Sequence, residues 1–213
     1  MKRSKEVEVF LNLTLSLINP GLFRCGLSML RELWHLSTTK TIATEWQSVY
    51  TGIQTISNRI TPPHRDSKGR PEWFDLLLSY CDKGASTPYF SVNDLSLKLK
   101  YSSGTVIAFC GTIFEHGVES WGAGDRVCSA HFMRESVRER LGVPPAGWVD
   151  RGLYIDVQYN NHFQLLFLLS IYLRRGLSDL LLVELVFGSL TALVIYNKDQ
   201  CNKNIMVLKT NDG

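Results

Sequence analysis

Between residues 46 and 150 the chain breaks into short runs rich in β-branched and aromatic residues: SVYTGIQTIS, WFDLLLSYC, YFSVNDLSLKL, GTVIAFCGTIF and DRVCSAHFM. Turn clusters separate them, namely TPPHRDSKGRP, DKGASTP, YSSG and SWGAGD. Several short strands divided by Gly/Pro/Ser turns predict a β barrel or jelly roll instead of βαβ units. One exception is VRERLGVPP, which reads as a short helix terminated by Gly142 and Pro144.

The flanks have a different texture. Residues 1–45 read as an N-terminal helical extension, 46–150 as the β core and 151–213 as an apolar C-terminal tail. In the extension, Leu22, Phe23, Leu27, Leu30, Leu33 and Trp34 recur at helical spacing behind Pro20-Gly21. Glu6, Glu8 and Asn12 interrupt the stretch behind a basic head, which disfavours a secretory signal. In the tail, Leu180 to Tyr196 carries a single charge, Glu184. It reaches only the lower end of the ~17–25 residues of a membrane helix. A membrane anchor, a buried helix or strand pair, and sequence that is not native coding all remain open for it. A net charge of +3 on 213 residues does not by itself mark a nucleic-acid binder, and five widely spaced cysteines form no CxxC pair.

His64-Arg65-Asp66 places an imidazole and a carboxylate two residues apart. On a strand those side chains share a face and reach one metal ion. A histidine from a distant strand would complete the two-histidine-one-carboxylate set that suits Fe(II) and leaves open positions. His116, at the end of the strand-like GTVIAFCGTIFEH, is the leading candidate. Beyond it, Arg126 opens DRVCSAHFM; its planar fork suits a carboxylate and never loses its charge. A hairpin through Gly122 and Gly124 would put His116 and Arg126 on neighbouring strands, both facing inward. His131 is the rival ligand. Alternation from an inward Arg126 also turns Cys128, Ala130 and Phe132 inward, and leaves His131 as an exterior or interface residue.

Several separate segments carry a resemblance: NRITPPHRD, WFDLLL, YSSGTVIAFCGTIFEHGV and GDRVCSAHFMRESVRERLGV, with NLTLSLINPGLFRCGLSMLREL before them. Together, over roughly residues 10 to 150, they resemble the fungal branch of the TET and J-binding-protein oxygenases. These are Fe(II)/2-oxoglutarate enzymes that oxidise modified bases or thymine in DNA, and the fungal copies are often linked to transposons. The resemblance implies a mainly β chain with flanking α, a double-stranded β-helix (jelly-roll) core preceded by an N-terminal helix. It implies His64, Asp66 and His116 as iron ligands and Arg126 as the 2-oxoglutarate anchor. The family commonly carries a small hydroxyl residue where this chain has Cys128.

The implied reaction consumes dioxygen and 2-oxoglutarate and oxidises 5-methylcytosine or a related base in DNA, in the nucleus. No obligate protein partner is implied. The same machinery on a non-DNA substrate, or an inactive truncated transposon-associated remnant, are the alternatives. A base in duplex DNA must leave the stack to reach iron inside a barrel. Arg59, Arg65, Lys68 and Arg70 are candidates for a phosphate-binding rim. Trp73 or Trp121 are candidates to pack against the base, and Asn58 and Arg59 for substrate contact.

Overall fold

The computed structural model describes residues 2–82, 86–149, 190–196 and 204–210. Three helices come first: α1 (Lys2–Ile18), α2 (Pro20–His35) and α3 (Lys40–Glu45). Asn19 starts α2, its Oδ1 accepting from Leu22 N at 3.0 Å with Pro20 at the first position. Leu11, Leu15 and Ile18 form the buried stripe of α1. On α2 the buried residues are Pro20, Leu22, Phe23, Cys25, Gly26 and Met29, while Leu27 and Trp34 of the sequence-predicted stripe are exposed. The face is rotated because α2 lies tight on the chain before the core: a Cβ on Gly26 would overlap the Val49 carbonyl. Each fully buried Leu or Met of this layer contributes on the order of 2 kcal/mol.

Eight strands follow between residues 52 and 132: β1 (Gly52–Ser57), β2 (Thr61–His64), β3 (Asp75–Cys81), β4 (Tyr89–Val92), β5 (Leu97–Lys100), β6 (Val106–Phe109), β7 (His116–Val118) and β8 (Arg126–Phe132). A short helix α4 (Glu135–Arg140) ends at Gly142, whose φ of 66° suits only glycine comfortably. The strands form two antiparallel sheets, β1-β8-β3-β6 and β2-β7-β4-β5, with β10 (Asn204–Thr210) and β9 (Leu190–Tyr196) extending the first beyond β6. All connections from β1 to β8 except β4–β5 cross from one sheet to the other, the topology of a jelly roll. The run YFSVNDLSLKL is therefore two strands, hinged at Ser96 in the left-handed region (φ 52°).

Two hydrophobic cores result. Leu76, Leu78, Val106 and Ala108 on the outer face of the larger sheet pack with the buried residues of α1 and α2. Ile107, Phe109 and Cys128 on its inner face meet Phe90, Val92 and Val118 of the smaller sheet. Of the apolar run Leu180–Tyr196, residues 190–196 are strand β9, so the run is not one continuous helix, and 180–189 lie outside the described residues. Among the described residues no helix is long and apolar enough to cross a membrane.

Candidate metal and anion site

β2 is an edge strand whose sequence, TPPH, contains two prolines without N–H groups; an edge tolerates them. Its pairing with β7 slips between Thr61↔Val118 and His64↔His116. The irregularity sets the two histidines directly opposite one another, ring centroids 4.3 Å apart. Gly117 permits this approach, since a Cβ there would crowd the Thr61 carbonyl.

Asp66 reaches the same point from the loop after β2, not from the strand that the HxD spacing suggests. Its N–H donates to the Gly111 carbonyl at 2.9 Å, and its carboxylate lies where a Cβ of residue 111 would be. His64 Nε2 stands 3.6 Å from Asp66 Oδ1, and His116 Nε2 3.9 Å from Asp66 Oδ2. Ligand atoms of all three residues lie within 4.8 Å of one another. In both histidines Nδ1 faces a backbone carbonyl two residues back, Pro62 at 2.9 Å and Phe114 at 3.0 Å. An Nδ1–H donated there leaves the Nε2 lone pair for a cation, the arrangement that orients imidazole ligands. His116 is buried between Phe90 and Phe109, and burial, opposed by the Phe114 carbonyl and Asp66, holds its pKa below the ordinary value. Two imidazoles and one carboxylate, with the rest of the cavity open, suit a divalent first-row metal such as Fe(II).

The cavity, about 310 Å³, lies between the sheets. Arg126 lines it from β8 and is 2% exposed, yet it forms no ion pair among the described residues, and its Nε has no hydrogen-bond partner. The guanidinium sits between the rings of Tyr101 (5.0 Å) and Trp121 (5.7 Å). Burial keeps the Tyr101 phenol well above its ordinary pKa, so it stays neutral, and its hydroxyl meets Cys128 Sγ at 3.2 Å. A buried cation lacking a counter-charge is costly, and a carboxylate ligand would relieve it.

β7 and β8 are not neighbours in one sheet. The segment through Gly122 and Gly124 crosses from the smaller sheet to the larger, and His116 begins β7 instead of ending a long strand. The inward orientation nevertheless follows alternation, because Arg126, Cys128, Ala130 and Phe132 all line the cavity. His131 faces the opposite way, as expected, but α1 covers it: it is 0% exposed and its Nε2 lies 2.9 Å from Glu8 Oε1.

Around the mouth, Arg59, Lys68 and Arg134 line the cavity, are exposed and form no ion pair among the described residues. Arg65 is bound to Asp94 at 2.7 Å, and Arg70 to Glu72 and Glu135. Arg134 replaces them in the rim; the sequence hid it behind the short-helix signal of the residues that follow. Trp73 is core, 3% exposed, with its indole N–H on the Ala146 carbonyl. Asn58, in the left-handed region (φ 50°), accepts from Arg126 N through Oδ1 and donates to Asp125 through Nδ2, both at 2.7 Å.

A buried acid also escaped the sequence reading. Asp75, first residue of β3, faces the cavity; burial, then the nearby Asp66 charge, raise its pKa from 3.8 to about 8. WFDLLL gave no sign of it, because an acidic residue opening a strand is usually solvated.

No family model and no curated protein matches the sequence. Among solved structures the fold is similar to one described as NgTET1 in complex with 5mC DNA, with a TM-score of 0.48 and 15% identity. The match covers 70% of this chain and 53% of that one, so this chain spans about half the length of the structure it matches.

Proposed function

We propose that the chain is an Fe(II)/2-oxoglutarate-dependent dioxygenase acting on 5-methylcytosine or a related modified base in DNA. The observation that carries the reading is one cavity holding both His64, Asp66 and His116 within 4.8 Å of one another and a buried guanidinium with no acidic partner, Arg126. His64, Asp66 and His116 would hold the ferrous ion. Iron with 2-oxoglutarate and dioxygen supplies the oxidising power needed at an unactivated methyl group. The chain's own residues bind and orient. Arg126 takes the far carboxylate of the keto-acid by a charge-assisted fork. Tyr101 and Trp121 set aromatic rings beside that guanidinium. The Pro62 and Phe114 carbonyls fix the tautomers of the two histidines. No side chain need act as general base.

The unpaired cations at the mouth, Arg59, Lys68 and Arg134, favour a polyanionic substrate over a neutral one. The reading is tested by anaerobic Fe(II) titration followed by succinate release on admission of oxygen, with methylated DNA as substrate. The wild-type chain is expected to bind iron and release succinate. Succinate formation unaffected by His64→Ala or His116→Ala would overturn the assignment.

A further inference from the structure

The metal site is built from two halves that the backbone joins poorly. His64 and Asp66 come from β2 and the loop after it, and His116 comes from the start of β7. Pro62 and Pro63 have no N–H to donate, and the β2–β7 register shifts between the pairs Thr61↔Val118 and His64↔His116. Side chains tie the halves together instead. Arg65, between the two ligands of the first half, donates from Nε to the Ile113 carbonyl at 3.1 Å and from a terminal nitrogen to Asp94 Oδ1 at 2.7 Å. Asp94 belongs to the short 3₁₀ turn Asn93–Leu95 after β4, the strand on the far side of β7. Its other oxygen, Oδ2, accepts from Glu115 N at 2.6 Å. Asn93 adds two bonds to Glu115, from N to the carbonyl at 2.9 Å and from Nδ2 to Oε2 at 2.8 Å. Each residue of the run before His116 is thereby committed. The Ile113 carbonyl goes to Arg65, the Phe114 carbonyl to the His116 ring, and Glu115 to Asp94 and Asn93.

The side chains of Arg65 and Asp94 are 49% and 32% exposed. An ion pair this open to solvent adds little to stability, so its use lies in where it holds the chain. We infer that Arg65 and Asp94 are positioning residues, a strap across β2, β7 and β4 that sets His64 and Asp66 against His116 at the spacing one metal ion requires. The inference rests on the iron-binding part of the reading above and adds to it two residues outside the ligand set. Arginine suits the task because its rigid fork holds two acceptors at a fixed separation, which the single ammonium of lysine does not. Charge alone argues the opposite sign at Arg65. A cation flanked by two ligands repels a metal ion, so on electrostatics its removal would tighten binding, whereas loss of a strap weakens it.

The test is anaerobic equilibrium titration of the metal-free full chain with Fe(II) and, separately, with Zn(II). Arg65→Met is expected to weaken Fe(II) binding about tenfold, the scale on which groups behind a metal's ligands act. Arg65→Lys, which keeps the charge and one donor at a time, is expected to weaken it about threefold, the worth of one hydrogen bond. Asp94→Asn has one acceptor oxygen for two partners and is expected to cost about tenfold. The double variant Arg65→Met/Asp94→Asn is expected to cost about tenfold as well and not about 100-fold, because either change cuts the same strap. Zinc has no geometric preference from its d electrons and tolerates displaced ligands better. The ratio of Fe(II) to Zn(II) affinity is therefore expected to fall in each variant. A partly unfolded variant loses both metals in proportion and leaves that ratio unchanged. An Arg65→Met chain that binds Fe(II) as tightly as the wild type, or more tightly, overturns the inference, as does an additive double variant or an unchanged ratio. Those outcomes leave the iron site itself standing, whereas a wild type that does not bind Fe(II) defeats the oxygenase reading and the strap together.

Discussion

His116 and His131 are both buried, at 6% and 0% exposure, and both sit on strands of the same jelly roll. They differ in what surrounds the second ring nitrogen. Nε2 of His116 points at an open cavity, with a half-exposed carboxylate 3.9 Å away and a second imidazole beside it. Nε2 of His131 points at Glu8, 2.9 Å away and 13% exposed, under a helix that seals the pair from solvent. Each ring keeps one nitrogen without a protein partner, Nε2 on His116 and Nδ1 on His131, but among the described residues only the first shares its space with a second imidazole and a carboxylate within ligand distance. Neither burial nor a spare nitrogen separates a ligand from a structural histidine here; the company of other ligand atoms does.

The largest effects follow directly from that difference. His116→Ala, or Asp66→Ala, is expected to lower ferrous affinity by more than about 100-fold in anaerobic titration, since each removes one of three ligands. His131→Ala is expected to leave ferrous affinity within about twofold. It should instead cost about 3 kcal/mol in urea unfolding, because the Glu8 carboxylate is left buried without its partner. A loss of iron binding in His131→Ala, with the fold intact, would erase the distinction between the two residues.

The same logic divides the arginines. Arg138 is partly buried and is held by Glu135 at 2.7 Å and the Val143 carbonyl at 2.6 Å, whereas the more deeply buried Arg126 meets two rings and no acid. Arg126→Met is expected to weaken 2-oxoglutarate binding about 100-fold, the loss of two charge-assisted hydrogen bonds. It is also expected to stabilise the metal-free chain by about 1–3 kcal/mol, because an uncompensated buried charge is replaced by an apolar side chain. Saturating 2-oxoglutarate should then raise the melting temperature of the wild type only. An Arg126→Met chain that is markedly less stable would place an unseen counter-charge on the guanidinium.

A smaller pair of effects separates Asp75 from His116 by pH. Asp75, with its pKa raised to about 8, keeps in the folded chain a proton that the unfolded chain has released above its ordinary value of 3.8. Its contribution to stability is therefore full in acid and is lost as pH rises through about 8. His116, held below its ordinary 6.5 by burial, acts with the opposite sign: stability falls as pH drops below that value. Thermal melts of metal-free Asp75→Asn and wild type should agree near pH 4.5. At pH 8.5 they should diverge by about 3 °C in favour of the variant. Equal melting temperatures at both pH values would show that the Asp75 carboxyl is well solvated.

The sequence made legible those parts of the site that alternation and residue chemistry determine. Inward Arg126 implied inward Cys128 and Phe132 and an outward His131, and all three hold. The turn-separated short runs announced a two-sheet β core. What stayed hidden depends on contacts between distant segments. The register of β2 slips against β7 between Thr61 and His64, which no local spacing records. Asp66 is placed by the Gly111 backbone, far along the chain. Arg65 and Arg70 read as free cations until Asp94, Glu72 and Glu135 come near them. Local sequence reports which face a side chain takes, and tertiary packing decides whether that side chain is already occupied.

Asn58 offers the finest cut between the two kinds of residue, because it adjoins Arg59 of the cavity mouth while its amide is tied to the start of β8. Its φ of 50° is easily met by glycine, so Asn58→Gly removes the two side-chain hydrogen bonds without straining the backbone. The backbone bond from Asn58 N to the Arg126 carbonyl, 2.8 Å, survives the change. Loss of the bond to Arg126 N is expected to cost about 1 kcal/mol of stability. It should loosen the seat of the guanidinium enough to weaken 2-oxoglutarate binding about threefold, with DNA affinity unchanged. If Asn58 instead touches the substrate, the pattern inverts: oligonucleotide binding weakens and keto-acid binding does not. Titrating both ligands against the one variant therefore assigns Asn58 to the Arg126 side of the cavity or to its mouth.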